Sequence, residues 1–213
     1  MDLVLLPSTE PDDETYGFAP DRIETFPEVS VHQIRFPRLV WYNEAIREDT
    51  VAQIRNLGVS SIVLAGFSKS GLGVWNVAQM IPDLISGMIL FDDPMMLLEP
   101  PMPLPNPYYE DAEAWLVDLP TRTVKKFEAI MPKTSRLVLI SGESFHEEMD
   151  RFAEVPRESK RRPMIGRVIS ASSPAGEQTK ASNRAETVVG HCAEVVDARF
   201  RHRSVLRRMS RMN

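Results

Sequence analysis

Three short runs, Ile62-Val63-Leu64-Ala65, Met88-Ile89-Leu90-Phe91 and Leu137-Val138-Leu139-Ile140, are apolar at every position. A strand with one face in water alternates polar and apolar residues, whereas a strand covered on both faces does not. The runs therefore call for a parallel sheet sandwiched between helices. With weaker runs added, strands are expected at Leu3–Leu6, Val29–Phe36, Ser61–Gly66, Gly87–Asp92 and Arg136–Gly142. Helical spacing falls between them. Glu44–Leu57 carries Val51, Ile54 and Leu57 on one face, with Asn43 as N-cap and Gly58 as C-terminal cap. Lys69–Ile81 is apolar around nearly its whole circumference, which predicts a buried helix. Tyr109–Leu119 and Arg122–Met131 form a weaker pair separated by Pro120, and Phe145–Phe152 reads as a further helix. Strand–helix alternation implies right-handed crossovers and an α/β fold, a mostly parallel sheet flanked by helices. Pro100–Pro107 has five prolines in eight residues and must be a loop or lid.

A chain of 213 residues, 43% hydrophobic and 26% charged, has material for one domain, or one domain and a tail. No run approaches the roughly 20 apolar residues of a membrane helix. The start, Met1 to Pro7, lacks the basic and apolar regions of a signal peptide. The single cysteine, Cys192, rules out an internal disulfide and a thiolate-held metal cluster. A reducing, cytoplasmic protein without metal or cofactor is the expectation.

The net charge of −5 conceals a split. Residues 1–150 hold 24 acidic and 11 basic residues, a balance of −13, while residues 151–213 hold 6 and 14, a balance of +8. Twelve of those 14 are arginine. The division suggests a core over 1–155 and a basic, irregular extension over 156–213.

The chemistry-bearing segment is Gly66-Phe67-Ser68-Lys69-Ser70-Gly71, between a buried strand and a buried helix. It follows the G-x-S-x-G pattern with Ser70 in the last position, a pattern in which a tight turn lifts the serine above the sheet. Small residues at Gly66 and Ser70 let strand and helix pass. The helix beginning at Lys69 aims its unpaired N–H groups at the same spot. A phosphate-binding loop is excluded by spacing, since Ser68 and Val63 stand where it needs glycines.

With Phe91-Asp92-Asp93-Pro94 after the next strand, this segment resembles the α/β-hydrolase superfamily, in particular small bacterial esterase-like members carrying Ser-Lys-Ser-Gly. The resemblance covers residues 1–155 in element order and is residue-specific only at the Ser68 turn and the Asp-Pro turn. It implies Ser68 as nucleophile and the Lys69 backbone amide as one oxyanion donor. The second donor comes from Pro7-Ser8-Thr9; Pro7 has no N–H, so Ser8 or Thr9 supplies it, Ser8 being preferred. Asp92 is favoured as the acid, with Asp93 and Glu143 as alternatives. A small acyl substrate follows, and Met95, Met96, Leu97, Leu98, Met102 and Leu104 either line its pocket or pack onto the core.

The base is harder to place. A serine hydroxyl needs one, and the superfamily takes a histidine from a loop after the last strand. His32 falls within an early strand, His146 precedes the expected position, and His191 sits on the amphipathic stripe Thr187–Ala198. His202 stands among Arg199, Arg201 and Arg203, whose charges disfavour an imidazolium. Met164–Ile169 is a poor strand candidate. The reading is that the native C-terminal third is replaced by frame-shifted or fused sequence, leaving the sheet incomplete at that end and residues after about 156 loosely packed. A catalytically silent hydrolase-like protein is the alternative. The basic arm, with no nucleic-acid-binding motif and few aromatics, argues against nucleic acid as partner.

Overall fold

The computed structural model describes residues 1–7, 28–36, 41–91, 93–94, 96–100, 103–106, 108–141, 145–155 and, as backbone, 164–167. The strands are β1 (Asp2–Leu5), β2 (Ser30–Gln33), β3 (Ile62–Phe67), β4 (Ile85–Phe91), β5 (Arg136–Ser141) and β6 (Met164–Arg167). They form one six-stranded sheet in the order β2-β1-β3-β4-β5-β6, and every pairing is parallel. The helices are α1 (Glu44–Asn56), α2 (Lys69–Ala78), α3 (Ala112–Val117), α4 (Pro120–Ile130) and α5 (His146–Glu154). No helix among the described residues is long and apolar enough to cross a membrane.

The three apolar runs occupy the sheet centre and are buried on both faces. Leu64, Met88, Leu90 and Leu139 face one cluster with Ile54 of α1, Val124 and Phe127 of α4, and Phe152 of α5. Val63, Ala65, Ile89, Phe91, Val138 and Ile140 face another, on the opposite side. That two-sided burial is why these strands read as unbroken apolar runs.

Helix α2 is buried along its length from Ser70 to Ala78. Trp75 is its anchor: the indole stacks on Phe127 (centroids 3.8 Å, 10°), meets Phe152 edge-on at 5.3 Å, and donates Nε1–H to Thr123 Oγ1 at 2.7 Å. Burying the ring apolar while pairing its one donor satisfies both demands of a core tryptophan. Helix α1 starts as expected, Asn43 Oδ1 accepting from Ile46 N at 3.1 Å, and it ends before Gly58, whose φ of 67° only glycine adopts without strain.

Two expectations are revised. Pro120 does not merely separate helices; it is the first residue of α4, where a missing N–H costs nothing. The sheet was expected to lack its last strand, yet β6 pairs with β5, Val138 opposite Met164 through Ser141 opposite Arg167. The rest of the extension, with His191 and His202, lies outside the described residues.

Candidate functional site

Parallel strands share one C-terminal edge, and the register fixes what meets there. Phe67 lies opposite Phe91, and Phe91 opposite Ile140. The C-terminal ends of β3, β4 and β5 therefore lie level, with Ser68 following β3 directly. Leu5 lies opposite Ala65, and Leu6 N donates to Ala65 O at 3.0 Å, so Pro7 leaves β1 in the column beside Ser68.

Ser68 joins β3 to α2 with φ 53° and ψ −124°, the one non-glycine residue of positive φ among the described residues. A side chain held there stores about 1–3 kcal/mol of strain and persists only where its surroundings insist. Those surroundings are specific. Ser68 N donates to Phe91 O at 2.8 Å, and Gly71 N donates to Ser68 O at 2.9 Å. Ser70 Oγ accepts from Phe67 N at 2.7 Å and donates to Phe67 O at 2.9 Å. A methyl group on Gly66 would run into the Ser70 carbonyl, and one on Gly71 into the Asp93 carboxylate. Ser68 occupies the N-cap position of α2 but makes no side-chain hydrogen bond to its own helix. Its hydroxyl is thereby not spent on capping, at a terminus whose positive partial charge favours an anion.

The other expected residues are distributed as follows. Lys69 opens α2, its Nζ 5.8 Å from the centre of the Trp41 ring. Asp93 is fully buried, its carboxylate against Gly71 and its backbone N–H donating to Met149 Sδ at 3.2 Å. Ser8, Asp92, Glu143, Met95 and Met102 lie outside the described residues. Met96 packs onto the main core, Leu97 and Leu104 join a cluster with Leu72, Tyr109 and Trp115, and Leu98 is exposed. His146 is exposed at the start of α5. His32, opposite Val4 and level with Leu64, is about 13 Å below Ser68 along the strand and two strands aside. It pairs with Asp2 at 2.8 Å and cannot serve Ser68.

Several residues had no signal in the sequence. Tyr42, 2% exposed, donates its hydroxyl to Pro7 O at 2.8 Å. Arg47 bridges Asp118 at 2.7 Å, Tyr109 Oη donates to Asp118 Oδ2 at 3.2 Å, and Asn76 Nδ2 donates to the Asp118 carbonyl at 2.9 Å. Burial first, and the Asp118 carboxylate second, push the Tyr109 phenol far above its ordinary range. Through this cluster α1 and α2 hold the segment that follows the proline-rich loop. Glu148 of α5 accepts the Met96 N–H, yet burial holds its carboxyl above the usual carboxylate range.

No protein-family model matches the sequence, and no curated protein matches it. Solved structures do. The esterase Est22 superposes with a TM-score of 0.63 at 15% identity, over 92% of this chain and 70% of its own. A thermophilic esterase from Thermogutta terrifontis, with malate bound, gives 0.61 at 15%, over 95% and 90%. The fluorophosphonate-binding serine hydrolase F of Staphylococcus aureus, with substrate bound, gives 0.57 at 14%, over 91% and 82%. This is the α/β-hydrolase fold. Ser68 stands in the turn between β3, the third of the six strands, and α2.

Proposed function

We propose that the chain is a serine hydrolase of carboxylic esters or related acyl compounds, with Ser68 as nucleophile. The observation that carries this reading is the strained backbone of Ser68 at the strand-to-helix turn, held by four neighbouring backbone and hydroxyl contacts. Strain of this kind is retained where it serves a purpose, and a turn of this form is the nucleophile elbow. In the proposed reaction Ser68 Oγ attacks the acyl carbonyl while a histidine takes its proton. The backbone amides of Lys69 and Ser8 hold the oxyanion, and the histidine then protonates the leaving alcohol. Water releases the acid from the acyl-serine. Asp92 orients the histidine; its neighbour Asp93 is fully buried, its carboxylate close to Gly71. Exposed Leu98 offers an apolar contact for the acyl group.

The test is covalent labelling with a fluorophosphonate probe beside Ser68→Ala, followed by short-chain p-nitrophenyl esters. Labelling that vanishes in the variant is expected. A folded wild-type chain that stays unlabelled would instead support the catalytically silent, binding-only alternative.

A further inference from the structure

We infer that Asp93 is a positioning residue for Ser68 and for the Lys69 backbone amide, acting through Gly71. The inference rests on the hydrolase reading and deepens it. Asp93 stands just after β4 and is fully buried. Its backbone is fixed from α5, where Met149 Sδ accepts its N–H at 3.2 Å. Its carboxylate lies against Gly71 in the first turn of α2, in the space that a Cβ on that glycine would need. Gly71 in turn donates its N–H to the Ser68 carbonyl at 2.9 Å, and Ser68 donates its own N–H to Phe91 O at 2.8 Å. Both backbone groups of Ser68 are thus tied to the exit of β4. The amide is tied directly, the carbonyl through a glycine whose back rests on Asp93.

The carbonyl matters because it is not a group of Ser68 alone. Ser68 C=O and Lys69 N–H belong to one planar peptide unit, so the bond that orients the oxygen orients the N–H as well. That N–H is an oxyanion donor of the proposed reaction. The φ of 53° at Ser68 costs energy, and a residue so held relaxes unless its neighbours prevent it. Ser70 secures Phe67 on the strand side of the turn. On the helix side Asp93 is the wedge: its bulk keeps the first turn of α2 from settling toward β4 and pulling Gly71 away from the Ser68 carbonyl. Gly71 has its reason in the same contact, since the wedge stands where its side chain would be.

An interaction that aims a transition-state donor lowers kcat when lost and leaves KM largely alone. In the full chain, folded by circular dichroism and assayed well below its melting temperature, Asp93→Ala is expected to lower kcat on p-nitrophenyl acetate about ten- to a hundredfold, with KM within about twofold. Fluorophosphonate labelling should slow in step. Asp93→Asn keeps the wedge and should recover activity to within about threefold of wild type with an unshifted pH–rate profile, whereas the same change in a triad carboxylate costs about 10⁴. Gly71→Ala, which drives a Cβ into the carboxylate, should show the same split as Asp93→Ala. Combining the two should restore part of the loss, because the new methyl enters the vacated space. Wild-type kcat and labelling rate in folded Asp93→Ala or Gly71→Ala would overturn the inference while the hydrolase reading stood. So would losses that simply add in the double variant, or an Asp93→Asn as impaired as Asp93→Ala, which would make charge and not bulk the working property. An unlabelled, inactive wild type would overturn both.

Discussion

Ser70 Oγ lies 2.7 Å from the amide and 2.9 Å from the carbonyl of Phe67, accepting from the one and donating to the other. One hydroxyl thereby satisfies both backbone groups of the residue before Ser68, where the strand must stop and the helix begin. The turn pattern needs a small residue here for clearance. The structure gives Ser70 a second task, which a glycine would not perform. Ser70→Ala leaves the Phe67 groups without this partner and should cost about 1–3 kcal/mol. In a chain of this length that is a fall in melting temperature of roughly 2–4 °C per kcal/mol, readable by thermal denaturation. An unchanged melting temperature would show that the bond is not needed.

Strain at Ser68 predicts an opposition between stability and chemistry. Ser68→Ala keeps a Cβ at φ 53°, whereas Ser68→Gly removes it. The glycine variant should be the more stable of the two by about 1 kcal/mol, the relief being partly offset by greater freedom in the unfolded chain. Urea unfolding midpoints decide it, and equal midpoints would mean the turn is unstrained.

Glu148 should make stability fall as pH rises through the acid range. Its carboxyl is raised mainly by burial, while the Met96 N–H and Arg151 pull it back. A raised carboxyl favours the neutral form in the folded state, so its stabilising contribution is complete below the unfolded value of about 4.3 and is lost above it. Glu148→Gln, which keeps an acceptor for Met96, should therefore raise the melting temperature at pH 7 and leave it unchanged near pH 3.5. A lowered melting temperature at pH 7 would reverse the sign assigned here.

Tyr109 sets the alkaline limit. Its phenol is raised by burial and by Asp118, so the folded chain keeps it protonated while the unfolded chain loses the proton near pH 10. Stability should fall with each unit above that point. Absorbance near 295 nm should show Tyr109 ionising only together with unfolding, and Tyr109→Phe should flatten the alkaline decline. A smooth phenol titration in the native state would contradict this.

What could be read from the chain and what could not divide along contact range. The central strands announced themselves because two-sided burial writes itself into consecutive residues, and Asn43 and Gly58 marked α1 by local backbone demands. Periodicity runs one helix over Tyr109–Leu119, but Asp111 Oδ1 caps at Ala114 N and α3 spans only Ala112–Val117. Tyr109 is left outside to reach Asp118, a tertiary bond that periodicity does not foretell. Ser68 was legible because its turn imposes small neighbours within a few residues. Tyr42 was not: its partner Pro7 is 35 positions away, and a lone tyrosine before a helix looks like any other. β6 was faint because Met164-Ile165-Gly166-Arg167 offers only two apolar residues in a row.

The amide of Ser68 finds its acceptor on β4, at Phe91, and Gly71 is backed by Asp93 just beyond it. A growing chain that has not yet released residue 93 has the local contacts of Ser70 and Gly71 but lacks the acceptor and the backing that come from β4 and just beyond it. The turn is thus completed only when the strand after it has been made. A serine-directed probe applied to nascent chains of increasing length would, on the proposed reading, report the moment at which the centre of the sheet closes.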